Sequence, residues 1–216
     1  MTKDNAGMKK IIYLMGKSAS GKDTVYRELL KRFPSLKPVI PYTTRPRREG
    51  EKDGQDYHFV SPETLDLYEK KGKLVEKRVY DTVAGPWIYA TVDEDPGAHP
   101  GEYPGAPEAR TSGPEGSVRI GIGTLESYLK LRAYYGEETL LPVYIETDDG
   151  TRLQRALDRE RQQKNPNYAE LCRRFLADQE DFSEERLAAA GIRKRYRNDE
   201  LPECLARIEE DVIHYA

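Results

Sequence analysis

Gly16-Lys17-Ser18-Ala19-Ser20-Gly21-Lys22 is the stretch on which the fold turns. It fits G-x-x-x-x-G-K. Before it, residues 9–15 (KKIIYLM) form a short apolar run with β-branched side chains, which reads as a buried strand. After it, Val25, Leu29 and Phe33 recur every four residues, one face of a helix over 22–33 that stops before Pro34. Strand, glycine turn and helix form the setting in which this motif cradles phosphate. Glycines let the backbone curl so that successive N–H groups point at one phosphate, and the positive end of the helix adds to the field. Lys22 reaches the outer phosphates and follows charge as a phosphoryl group moves. The alternative is an ordinary Gly-rich turn. The motif expects Ser or Thr after the lysine, as a magnesium ligand, and here Asp23 and then Thr24 follow. Both are candidate metal-site residues. Asp23 binds magnesium through water, faces outward and complements the helix dipole, or weakens nucleotide binding by repulsion.

The rest of the chain alternates strands and helices. Residues 37–60 have strand-like ends at KPVIPY and DYHFV. Ser61 caps a helix with Pro62 at its first position, and Gly72 ends it. LVEKRVY (74–80) and PWIYATV (86–92) alternate like strands. SVRIGIG reads as a strand, 124–135 as a helix and 140–149 as the last buried strand. Residues 150–190 read as charged helix and 201–215 as an amphipathic helix. The stretch 93–117 holds five Pro and five Gly in 25 residues and reads as an inserted loop. The pattern predicts an α/β fold with a central parallel sheet flanked by helices and a smaller strand-rich lobe at 37–92.

Composition removes several classes. At 216 residues the chain is one large domain, or one with inserted lobes. No apolar run approaches the roughly 20 residues that span a membrane, and the polar start lacks a secretory signal, so a cytoplasmic protein is expected. Cys172 and Cys204 form no disulfide framework, and His58, His99 and His214 are scattered. The net charge of -3 is not that of a nucleic-acid binder. Arginines cluster locally, at Arg45, Arg47 and Arg48 and from Arg155 to Arg174, which suits small anionic ligands.

The segment from Pro41 to Val60, PYTTRPRREGEKDGQDYHFV, carries most information. Arginine forks pair bidentately with phosphate oxygens, and Arg45 and Arg48 can grip one phosphate from two sides with the Tyr57 hydroxyl as a third donor. Composition alone would equally allow a solvated basic loop.

TTRxxRxGExxGxxYxFV, preceded by GxSxxGKxT, resembles guanylate kinase. The resemblance runs in order along the chain: phosphate loop, acceptor segment, arginine-rich lid and a late asparagine. It implies a P-loop kinase with core 9–36, 118–150 and 190–216, a nucleoside-monophosphate-binding lobe 37–92 and a helical lid 151–189. It implies transfer of the γ-phosphoryl of ATP to GMP or dGMP with Mg²⁺, and small nucleotides as partners. Gly16, Lys17, Ser18, Ala19, Ser20, Gly21, Lys22, Asp23 and Thr24 would bind ATP, joined by Arg155 and Asn198. Arg159 and Arg174 would embrace its phosphates, with Arg161 and Arg173 as rivals; spacing of four sets Arg155 and Arg159 on one helical face. Arg45, Arg48 and Tyr57 would hold the acceptor phosphate. Glu76 would accept from N1–H and the 2-amino group of guanine, with Tyr89 and Thr91 nearby.

Some family positions differ. Pro41 stands where a serine is usual, Tyr89-Ala90-Thr91 is farther from Glu76, and an Asp-x-Asp pair is replaced by Ile120-Gly121-Ile122-Gly123. Asp93, Glu94 and Asp95 are candidate replacements. Two alternatives stay open: a related kinase of another phosphorylated acceptor such as a ribose bisphosphate, and a non-catalytic guanylate-kinase-like module that binds phosphopeptides.

Overall fold

The computed structural model describes residues 10–48, 50–82, 85–93 and 118–215. The loop expected over 93–117, with Glu94 and Asp95, lies outside the described residues apart from Asp93. The chain divides into two compact units, one of Met1–Lys37 with Gly116–Ala216 and one of Pro38–Glu115.

The larger unit is built on β1 (Ile11–Met15), β2 (Lys37–Pro38), β7 (Arg119–Gly123), β8 (Leu140–Glu146) and β9 (Tyr196–Arg197), in the order β2-β7-β1-β8-β9. β1 runs parallel to β7 and β8, and β8 parallel to β9. Every residue of β1 is buried because helices cover both faces, which is why it reads as an unbroken apolar run. On one face α1 (Lys22–Arg32) and α7 (Leu201–Tyr215) bring Val25, Leu29, Leu205, Ile208 and Val212 onto Ile12, Leu14, Ile120, Val143 and Ile145. Each fully buried aliphatic side chain there contributes about 1.5–3 kcal/mol. Cys204 lies in this core, where burial pushes its thiol up to about 11, and Cys172 is exposed; both are free. On the other face is α3 (Leu125–Tyr135), whose Tyr128 ring meets Tyr13.

The strand expected over 140–149 stops at Glu146, because the Asp148 carboxylate accepts from Thr151 N (2.9 Å) and starts a helix. The charged segment is three helices: α4 (Asp149–Arg161), α5 (Tyr168–Asp181) and α6 (Glu184–Ala189). Asn167 caps α5 and Ser183 caps α6. β9 was not anticipated, since two residues give no period to read.

The smaller unit holds β3 (Tyr42–Thr43), β4 (His58–Phe59), β5 (Leu74–Thr82) and β6 (Gly85–Val92), in the order β4-β3-β6-β5. β5 and β6 form an antiparallel pair in which Glu76 faces Thr91 and Arg78 faces Tyr89. The helix α2 (Pro62–Lys70) is capped by Ser61, as expected from Ser-Pro. Its Leu65 and Tyr68 pack on Tyr42, Ala90 and Val92. Alternation along β6 turns Tyr89 and Thr91 to the opposite face. Among the described residues no helix is long and apolar enough to cross a membrane.

Candidate functional site

Residues 16–21 join the carboxyl end of β1 to α1, where open parallel sheets bind ligands. Both motif glycines are demanded by the backbone. A Cβ on Gly16 would stand 2.5 Å from the Ile145 carbonyl oxygen and 2.8 Å from Ser20 Oγ. Gly21 has φ +87°, and a Cβ there would meet Asn198 Nδ2 at 2.3 Å. Ala19 also lies in the left-handed region, at φ 60°, a strain of the sort that collects at functional turns. The loop is clamped from behind. Asn198 Nδ2 and Thr147 Oγ1 both donate to the Ser20 carbonyl, at 2.8 and 3.1 Å. Ser20 Oγ and Asn198 Oδ1 are buried without a partner among the described residues. Asn198 thus touches the phosphate loop directly, a role that sequence resemblance did not assign.

Lys22 opens α1 with Nζ 3.8 Å from Asp23 Oδ2. The Asp23 carboxylate is exposed in the first helical turn, the position that complements the dipole, and Thr24 is half-buried. No group of three or more His, Cys, Asp or Glu that would suit a metal occurs among the described residues.

Sequence reading missed Arg152. It is the most deeply buried side chain of α4, at 1% exposure. Nη1 donates to the Ser18 carbonyl (2.9 Å), while Nε and Nη2 donate to Asp149 Oδ1 at 3.1 and 2.6 Å. The guanidinium stacks on Phe175, 4.8 Å from the ring centre, and lies 3.6 Å from Asp178 Oδ2. That same Asp178 oxygen accepts from Ser18 N at 2.7 Å. Gln179 accepts from Lys17 Nζ and donates to Asp149, both at 2.6 Å. Arg152 is three residues before Arg155 on a helix that reads as charged throughout; only its burial sets it apart.

The other lid arginines separate by contact. Arg159 and Arg174 line a small cavity of about 10 Å³ with Ser18 and Phe175. Arg155 is exposed and does not line it. Arg161 pairs with Asp158 (3.5 Å), and Arg173 and Arg174 both pair with Glu170 (2.7 and 3.7 Å), each within its own helix. A larger cleft of about 280 Å³, bordered by Lys17, Glu146, Asp149, Arg152 and Arg197, mixes both signs of charge and suits no single anion.

The smaller unit gathers the acceptor-segment residues. Arg45 is 4% exposed. Nη1 and Nη2 clamp Glu51 at 2.7 and 2.5 Å, Nη1 also donates to the Pro46 carbonyl, and Nε donates to Tyr89 Oη at 3.1 Å. Its guanidinium stands 4.9 Å from the Tyr57 ring centre and 5.4 Å from that of Phe59. The Arg45 bonds hold the Glu51 carboxyl down at about 2, and burial raises the Tyr57 hydroxyl. Four of the five arginine N–H groups are engaged in these bonds, so Arg45 is a fixed cation. Arg48 has its backbone N on Glu51 (2.8 Å) and its side chain exposed. Glu76, 4% exposed, accepts from Thr91 and Arg78.

One departure meets a spatial constraint. A Cβ on Gly123 would stand 2.1 Å from the Tyr13 hydroxyl, so a side chain at the end of β7 requires Tyr13 to move.

The family model described as guanylate kinase matches residues 8–93. Those residues contain the phosphate loop and every acceptor-side residue named above. The guanylate kinase of Syntrophotalea carbinolica is 42% identical over 78 residues, which cover 36% of this chain and 37% of that protein. That of Mycolicibacterium paratuberculosis is 45% identical over 71 residues, covering 33% and 32%. The chain thus spans about a third of the length of the curated relatives it matches. The crystal structure of guanylate kinase from Anaplasma phagocytophilum superposes with a TM-score of 0.61 over 96% of this chain and 86% of that one, at 16% identity, and so shares the fold. Through the phosphate loop and the arginine-rich segment, residues 8–93 of this chain are similar to guanylate kinases.

Proposed function

We propose that the chain is a nucleoside monophosphate kinase that transfers the γ-phosphoryl of ATP to GMP or dGMP, giving GDP or dGDP. The observation that carries this is the presence, in the family-matched residues, of a glycine-demanding phosphate loop ending in Lys22 and of Arg45 pinned by Glu51 and Tyr89. In this reading the loop N–H groups and Lys22 hold the donor phosphates, and Arg159 and Arg174 neutralise charge on the transferring group. Asn198 and Arg152 keep the loop in shape through the Ser20 and Ser18 carbonyls. Arg155 adds positive charge on the donor side.

One exposed carboxylate, Asp23, and the Thr24 hydroxyl are a sparse donor set, which fits a magnesium ion held mainly by nucleotide phosphates and water. When bound, magnesium neutralises phosphate charge. On the acceptor side Arg48 supplies the fork, Arg45 its fixed positive charge, and Tyr57 a hydroxyl. Glu76 faces the base edge, with Thr91 and Tyr89 beside it. An acceptor phosphate oxygen bonds to the γ-phosphorus as the β,γ bridge breaks and ADP leaves. The acceptor oxygen is already ionised, so positioning and charge neutralisation suffice.

The test is ADP release with GMP, dGMP, AMP and a ribose bisphosphate assayed in parallel. Turnover with GMP and dGMP, absent with AMP and reduced about a hundredfold or more in Lys22→Ala, is expected. Turnover with the ribose bisphosphate and none with GMP would refute the reading. An intact phosphate loop disfavours the phosphopeptide-binding alternative, which predicts no ATP affinity.

A further inference from the structure

Glu76 is not a bare carboxylate. Its side chain is 1% exposed. Oε1 accepts from Thr91 Oγ1 at 3.0 Å and from Arg78 Nη2 at 3.4 Å, and Oε2 accepts from Arg78 Nε at 3.1 Å. Arg78 is two residues along the same strand, hence on the same face, and opposite Tyr89, the residue whose hydroxyl touches Arg45. The pair therefore adjoins the proposed phosphate-holding cluster on one sheet face.

A carboxylate has about four lone-pair sites. Thr91 and Arg78 take three of them, two on Oε1 and one on Oε2. Guanine presents two donors on its edge, N1–H and the 2-amino group, and hypoxanthine presents N1–H alone. Adenine has an acceptor at N1 and gains nothing from a carboxylate.

Resting on the kinase reading above, we propose that Arg78 sets the acceptor base. By occupying Glu76 it leaves the carboxylate able to read one donor rather than two. The acceptors are then 6-oxopurine nucleoside monophosphates as a class, inosine as well as guanosine. The 2-amino group gains full credit only by taking lone pairs from Arg78, an exchange that offsets most of its benefit. A site whose acceptors are reserved for a donor rejects the analogue lacking it by about 10⁴ or more, and this carboxylate is not so reserved.

The experiment measures kcat/KM for GMP, IMP and AMP, and calorimetric dissociation constants for GMP and IMP without donor nucleotide, in the wild-type chain, Arg78→Ala and Arg78→Lys. The wild type is expected to favour GMP over IMP by about tenfold or less, and Arg78→Ala to widen that ratio by about tenfold or more through a gain on GMP. Arg78→Lys, which keeps the charge and loses the fork, moves the ratio the same way by less. A wild-type ratio above about a hundred, or a ratio unmoved in the variants while GMP still binds and turns over, overturns the role of Arg78 and leaves the kinase reading standing. Absence of binding to both nucleotides in the wild type overturns both. If Arg78→Ala does not fold, an unmoved ratio in Arg78→Lys is decisive.

Discussion

Arg152→Ala separates a structural clamp on the phosphate loop from a solvated lid charge. The side chain is 1% exposed, donates once to the Ser18 carbonyl and twice to Asp149, and covers the Phe175 ring. Removing one partner of a buried ion pair costs about 3–5 kcal/mol, because the other charge is left unpaired. Here the remaining carboxylates are not equally stranded. Asp149 is 49% exposed and rehydrates, whereas Asp178, at 16%, keeps the Ser18 N–H but loses its nearest cation. The expected loss is therefore about 2–4 kcal/mol. For a chain of this length that lowers Tm by roughly 5–15 °C. Release of the Ser18 carbonyl also frees the loop to shift, and a misplacement of about 1 Å near phosphoryl transfer costs on the order of a hundredfold in rate. Thermal unfolding by circular dichroism and ATP titration of the same samples measure the two effects. Arg152→Lys, with charge but no fork, should fall between. A Tm within about 2 °C of wild type together with unchanged ATP affinity would show that the network contributes nothing.

Gly21→Ala meets both a φ of +87° and a Cβ position 2.3 Å from Asn198 Nδ2, whereas Gly72→Ala meets φ +67° in open space. Urea unfolding should show about 1 kcal/mol lost for Gly72→Ala and clearly more for Gly21→Ala; equal losses would mean that Asn198 moves away without cost. The Glu51 carboxyl is held at about 2 by Arg45, below its ordinary 4.5. A depressed carboxyl stabilises the fold fully above the unfolded value, so this contribution is complete above pH 4.5 and fades as pH falls toward about 2. Carboxyl NMR should put the Glu51 midpoint near 2 in the wild type and move it upward in Arg45→Ala; a wild-type midpoint near 4.5 would deny the pair in solution.

Local rules made much of this protein legible from sequence. The strand at Ile11–Met15, the loop with its two glycines and the helix at Lys22 follow from an apolar run, a motif and a four-residue period, all of which act over short chain distances. Ser61-Pro62 announced its helix for the same reason, since a cap and its first turn are neighbours in the chain. The candidate residues of the acceptor segment were nameable because their spacing is itself the motif. Tertiary structure alone decided who touches whom. Arg152 reads as one charge on a polar helix, yet folding buries it against Ser18, 134 residues away. Asn198 contacts a loop 178 residues earlier in the chain, and a side chain at Gly123 would meet Tyr13 on a neighbouring strand. Glu76 and Arg78 show the limit most sharply. Their separation of two was visible in the sequence, but only the pleat, which turns both to one face opposite Thr91 and Tyr89, reveals that the carboxylate already has its partners.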